Sequence, residues 1–204
     1  MHSNILTKTQ VSLLPLIRQF NSSFYLVGGT ALALQLGHRR SVDFDLFTDK
    51  NFDSLDIRTT IKKQRHTINR VLIETKTEFT LFVDNTKMTF YVYPYSVKHQ
   101  TNFENIISLP DTLTIATMKA FALGRRAKWK DYVDLYFILR HHSLKEIVSK
   151  AREYYTAGEF DEKLFREQLA YFKDLDYSES IEYMPGSAVD DGVVKQELTE
   201  ISLT

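Results

Sequence analysis

The chain has 204 residues, 43% of them hydrophobic and 13% aromatic, enough for a substantial core in one domain or in one domain with a helical extension. Basic and acidic residues balance at 26 each, so the formal charge is zero and a nucleic-acid surface has to be local: His38, Arg39 and Arg40; Lys62, Lys63 and Arg65; or Arg125, Arg126, Lys128 and Lys130. The absence of cysteine excludes disulfides, thiol catalysis and cysteine zinc sites, and with no membrane-length apolar run and no signal-peptide pattern a cytoplasmic location is expected by default.

Apolar residues at helical spacing (Leu6, Leu13, Leu14, Ile17) predict a first helix over 5–20, with Pro15 as a kink or break. A short strand over 24–27, a compact apolar helix over 30–36 ended by Gly37, and a strand over 42–47 follow. A more polar helix over 52–66 leads into strands over 70–75, 79–83 and 88–93, the last two joined by a turn at Asp84-Asn85. From Pro110 the texture turns helical, over 112–123, 130–140, 144–155 and 161–172, with a last short helix near 193–201. The chain therefore reads as an α/β part, 1–110, and a helical part, 111–204, with no internal repeat or low-complexity linker.

The stretch LVGGTALALQLGHRRSVDFDLFTD, residues 26–49, carries the densest chemistry. Gly28 and Gly29 allow a tight turn and close approach of a phosphate to backbone N–H groups, and Thr30 adds a hydroxyl at a helix N-terminus, where anions are favoured. Asp43 and Asp45, two apart in VDFDLF, are expected on the same face of one strand. Each fragment has a plainer reading, an ordinary strand-to-helix turn and a solvated strand face. Their occurrence in series favours a nucleotide site, because two like charges among Phe44, Leu46 and Phe47 repel unless a cation such as Mg²⁺ joins them.

A second constellation lies in TIATMKAFALGRRAKWKDYVDLYFIL. Lys119 sits among apolar residues, where it snorkels, pairs with a carboxylate or offers a point charge to triphosphate oxygens. Asp131 reads as an acid favoured by the helix dipole. Asp134, one turn deeper, is a candidate for pairing with Lys119 or Arg125, or for catalysis. No Walker A, G-x-G-x-x-G, H-E-x-x-H or G-x-S-x-G pattern occurs, and His141-His142 reads as a helix-end pair.

Taken together, GGTALALQLGHRRSVDFDLF and MKAFALGRRAKWKDYVDLYFIL resemble the AbiEii/AbiGii-type nucleotidyltransferases of the DNA polymerase β-like superfamily, which include toxins of toxin–antitoxin and abortive-infection systems. The similarity covers most of residues 20–142. It implies an α+β fold, a small mixed sheet flanked by helices, followed by a helical C-terminal region that completes the nucleotide site. It further implies Mg²⁺-dependent transfer of a nucleoside monophosphate from an NTP to an acceptor hydroxyl, with tRNA ends suggested as acceptors, and a cognate antitoxin as partner. By this resemblance Gly28, Gly29, Thr30 and Ser41 bind the nucleotide and Asp43 and Asp45 hold the metal. Lys119 contacts the phosphates and Asp134 is the late acidic residue of the site. Arg39, Arg40, Arg125 and Arg126 would receive an RNA backbone.

One departure stands out. The superfamily usually carries a third carboxylate on a later strand, and KMTFYVYPY places Thr89 or a neighbour there, with Asp84 and Glu78 as the nearest acids. Two alternatives follow: nucleotidylation of a small molecule or protein, and a catalytically weak module that binds nucleotide or antitoxin.

Overall fold

A computed structural model describes every residue except Gly124 and Ala157, and divides the chain into two compact units, Met1–Asp111 and Thr112–Thr204. In the first unit a capping box starts α1, Lys8–Arg18: the Thr7 hydroxyl accepts from the Gln10 N–H while the Gln10 side chain accepts from the Thr7 N–H. This cap, preceded by a 3₁₀ turn at Ser3–Ile5, makes the helix shorter than the apolar spacing suggested. Pro15 lies within the helix and does not end it.

β1 (Tyr25–Val27), α2 (Gly28–Leu36) and β2 (Phe44–Thr48) follow, and Gly37 stops α2 in the left-handed conformation at φ 67°. Next come α3 (Ser54–Lys63, capped by the Asp53 carboxylate), β3 (Ile68–Glu74), β4 (Glu78–Val83) and β5 (Thr86–Val92). The sheet order is β1-β2-β5-β4-β3, with β2 and β5 parallel and the other pairs antiparallel. Asp84 and Asn85, at φ 47° and 63°, make the tight turn between β4 and β5 that their residue types favour.

Alternation decides which sheet face is core. Phe44, Leu46, Phe79, Leu81, Met88 and Phe90 are buried, and the rings of Phe20 and Phe24 meet Phe90 edge-on at 4.9 and 5.2 Å. Burying each of these large side chains contributes about 1.5–3 kcal/mol. The intervening positions, Asp45, Lys87, Thr89 and Tyr91, are only partly covered and form the opposite face. A second hairpin, β6 (Thr101–Phe103) and β7 (Ile107–Leu109), was not expected from sequence.

The second unit is helical: α4 (Thr112–Leu123), α5 (Trp129–Leu139), α6 (Leu144–Tyr154), α7 (Glu162–Leu169) and α8 (Asp191–Ser202). A Ser143–Glu146 capping box starts α6, and the carboxylates of Asp161 and Asp190 cap α7 and α8. Between α7 and α8 an extended segment lies against the start of α5, where Asp176 exchanges backbone hydrogen bonds with Ala127 and Trp129 and Glu179 binds the ammonium groups of both Lys128 and Lys130. Among the described residues no helix is long and apolar enough to cross a membrane.

Candidate active site

β1 runs directly into α2, so the turn at Gly28 and Gly29 is also the N-terminus of that helix. Its N-cap, Val27, offers no side-chain cap, which leaves the positive end of the helix to other partners. Gly28 has φ +69°, and a Cβ there would fall on the Asp45 carboxylate, meeting Oδ2 and lying 3.2 Å from Cγ. Only glycine allows both the backbone and this close approach. A Cβ on Gly29 would lie 2.7 Å from Arg39 Nη2 and 2.8 Å from Ser41 Oγ. A guanidinium and a hydroxyl therefore converge above the helix N-terminus, a donor set suited to an anion.

The Asp45 carboxylate sits at the edge of this turn. Asp45 is in β2, aligned with Val27 of β1 on one side and Thr89 of β5 on the other. Asp43 precedes the strand, which begins at Phe44 rather than at 42 as the sequence pattern suggested. The reason is tertiary: the Ser41 carbonyl accepts from Gln10 Nε2 at 2.9 Å, and Thr30 Oγ1 donates to the Asp43 carbonyl, so this backbone is bound outside the ladder. Thr30 is only 1% exposed, and its hydroxyl ties α2 to the aspartate-bearing segment. The Asp43 side chain pairs with the Lys87 ammonium at 2.7 Å.

Neither nearby acid takes the third-carboxylate position. Thr89 is the residue beside Asp45, and Thr80 of β4 is next in register. Glu78 lies opposite Tyr91 and accepts from the Thr80 hydroxyl at 2.8 Å. Asp84 is held in its turn by His66 Nδ1 at 2.6 Å and by the Thr67 N–H; burial raises the Asp84 pKa, but those two bonds outweigh it and leave the carboxyl below its ordinary value. Among the described residues no group of three or more His, Asp or Glu could hold a metal. Two carboxylates near a helix N-terminus still fit Mg²⁺, which usually binds one or two carboxylates together with substrate phosphates.

Burial limits how much of the basic run at residues 38–40 is open to solvent. Arg39 is 5% exposed and His38 1%, so neither forms an open basic surface, and the Arg39 guanidinium lies over Gly29 instead. Arg40 is partly covered and donates to the Ile5 carbonyl at 2.9 Å. Arg125 is exposed, donating to the Phe121 carbonyl with its guanidinium 3.6 Å from the centre of the Phe121 ring.

In the helical unit Lys119 is buried and bridges Asp131 at 2.9 Å and Asp134 at 2.6 Å. Arg126 closes the cluster with two bonds to Asp131, from Nε at 2.9 Å and Nη2 at 3.2 Å. Asp131, expected to serve the helix dipole, is thus a full member of a buried ion network. Burial pushes its carboxyl up, yet Lys119 and Arg126 outweigh this and hold it below the ordinary range. The clue in the sequence was the one-turn spacing of Asp131 and Asp134 after a lysine on an apolar helix.

Comparison with known proteins places these features in context. The sequence model described as "Nucleotidyl transferase AbiEii toxin, Type IV TA system" matches residues 16–100. An uncharacterized protein of Aquifex aeolicus is 35% identical over 159 residues, 75% of each chain. The crystal structure of JHP933 from Helicobacter pylori superposes with a TM-score of 0.61 at 16% identity, covering 97% of this chain and 92% of that one. MenT4, a nucleotidyltransferase toxin of Mycobacterium tuberculosis, gives 0.58 at 15% identity, with 95% and 80% covered. At those identities the two structures establish a shared fold.

Proposed function

This chain belongs to the AbiEii nucleotidyltransferase toxin family and is a nucleotidyltransferase, and from that premise we propose that it moves a nucleoside monophosphate from an NTP to an acceptor hydroxyl at a tRNA 3′ end. The observation that carries the reading is the junction of the α2 N-terminus with Asp43 and Asp45, where a side chain on Gly28 would meet the Asp45 carboxylate and one on Gly29 would meet Arg39 and Ser41.

In this reaction the acceptor oxygen bonds to the α-phosphorus, the bond from that phosphorus to the bridging oxygen breaks, pyrophosphate leaves, and the hydroxyl proton passes to water. Gly29 N–H, Arg39 and Ser41 hold the departing phosphates, and Thr30 keeps the turn and the aspartates in fixed register. Asp43 and Asp45 would hold Mg²⁺, whose charge offsets that developing on the transferring phosphoryl group. Most of the catalysis is then positioning. The cellular role that goes with this chemistry is that of a cytoplasmic toxin held in check by an antitoxin.

The test is incubation with Mg²⁺, each labelled NTP and total tRNA. Labelled RNA from the native protein and none from Asp43→Asn, with an unchanged circular dichroism spectrum, supports the assignment; equal labelling by the two refutes it. Burial of His38 and Arg39 removes part of the basic surface an RNA would use, which favours a second reading, nucleotidylation of a protein or small molecule. Strong labelling without RNA selects that reading.

A further inference from the structure

Strand order gives the neighbourhood of Asp43 and Asp45 two distinct sides. β2 has β1 on one side and β5 on the other, and β1 leads into the phosphate turn at Gly28 and Gly29. In an in-line displacement the attacking and leaving oxygens lie on opposite sides of the phosphorus. A pyrophosphate held on the β1 side would leave the acceptor to enter over β5. That side holds a cavity of about 290 Å³ lined by Thr7, Thr9, Asn85 and Thr86 together with Asp43 and Lys87.

We propose that Lys87 supplies the second cation of this site, so that the chain works with a single divalent ion, and that the Lys87 ammonium faces the acceptor hydroxyl. The inference rests on the nucleotidyltransferase reading above. A second divalent ion is favoured by a further carboxylate to offset its charge, and register puts Thr89 beside Asp45 where that acid would stand. Two residues earlier on the same face of β5, Lys87 already holds Asp43 at 2.7 Å with a third of its side chain accessible. Charge is conserved by this exchange: two carboxylates, an ammonium and one divalent ion carry one net positive charge, as do three carboxylates with two divalent ions. An ammonium on a flexible stem can keep one hydrogen bond to Asp43 while offering another to an acceptor oxygen.

The experiment counts bound Mn²⁺ by electron paramagnetic resonance, with the four α,β-methylene NTPs tried in turn. The native protein should bind one Mn²⁺ per nucleotide complex and the Lys87→Met/Thr89→Asp double variant two. Two ions in the native complex overturn the proposal, as does a double variant that still binds one. In transfer assays Lys87→Met should lose about 100-fold in rate with the nucleotide Kd changed less than about threefold, while Lys87→Arg recovers to within about tenfold. Full activity in Lys87→Met also overturns it. Asp43→Asn separates the two readings: if that variant is inactive while the native complex holds two ions, only the role of Lys87 falls. If no NTP binds at all, the nucleotidyltransferase reading falls and takes this one with it.

Discussion

Gly28 and Lys119 show how much single positions carry. Gly28→Ala places a methyl group on the Asp45 carboxylate and forces a left-handed conformation that costs an ordinary residue about 1–2 kcal/mol. The expected result is a folded protein, slightly lower in melting temperature, whose Mn²⁺ and NTP affinities drop by about tenfold or more. Lys119→Met acts differently. It removes the ammonium shared by Asp131 and Asp134, both fully buried, and breaking such a pair costs about 3–5 kcal/mol. Chemical denaturation should show that loss, and a variant as stable as the native protein would mean the cluster is hydrated in solution. The glycine turn and the Asp-x-Asp pair were readable from sequence because their chemistry is local. Lys87 was not: its alternation with Thr89 was visible in KMTFYV, but its pairing with Asp43 depends on a parallel register between strands some forty residues apart.

At the level of elements, the segment between α7 and α8 is fastened by the backbone bonds of Asp176 and by one carboxylate, Glu179. Burial raises the Glu179 pKa, but the hydrogen bonds and charges of Lys128 and Lys130 prevail and bring it from 4.5 down to about 2. A depressed folded-state value means that the stabilisation is complete above about pH 4.5 and is lost as pH falls toward about 2. Melting curves of the native protein and Glu179→Gln should therefore differ most near neutrality and converge in strong acid; a difference independent of pH would refute the ion-pair account. Helices in this chain were legible because caps and periodicity coincide, as at Ser143–Glu146 and Asp161. The β6–β7 hairpin was not, since its strands are three residues long and its turn uses Glu104 and Asn105 at φ 50° and 55°, a conformation that glutamate seldom signals. Asp43 was misplaced within β2 for a similar reason: side chains of Gln10 and Thr30, distant in sequence, bind the backbone that would otherwise extend the strand.

For the molecule as a whole, charge balance sets behaviour in solution. With equal numbers of acidic and basic residues and an isoelectric point near 7.0, solubility should pass through a minimum close to neutral pH, and dynamic light scattering across pH 5–9 would find it. RNA labelling should fall only shallowly with added salt, because few phosphates can be neutralised at once. The bare α-carbon of Gly28 matters at a still larger scale. If expression of this chain arrests growth, a culture selected for survivors should accumulate missense alleles at that codon, because every replacement adds an atom where the Asp45 carboxylate lies while the core stays intact. Such alleles would be inert yet abundant, so that survivors would still carry the full-length folded chain, as a deletion would not.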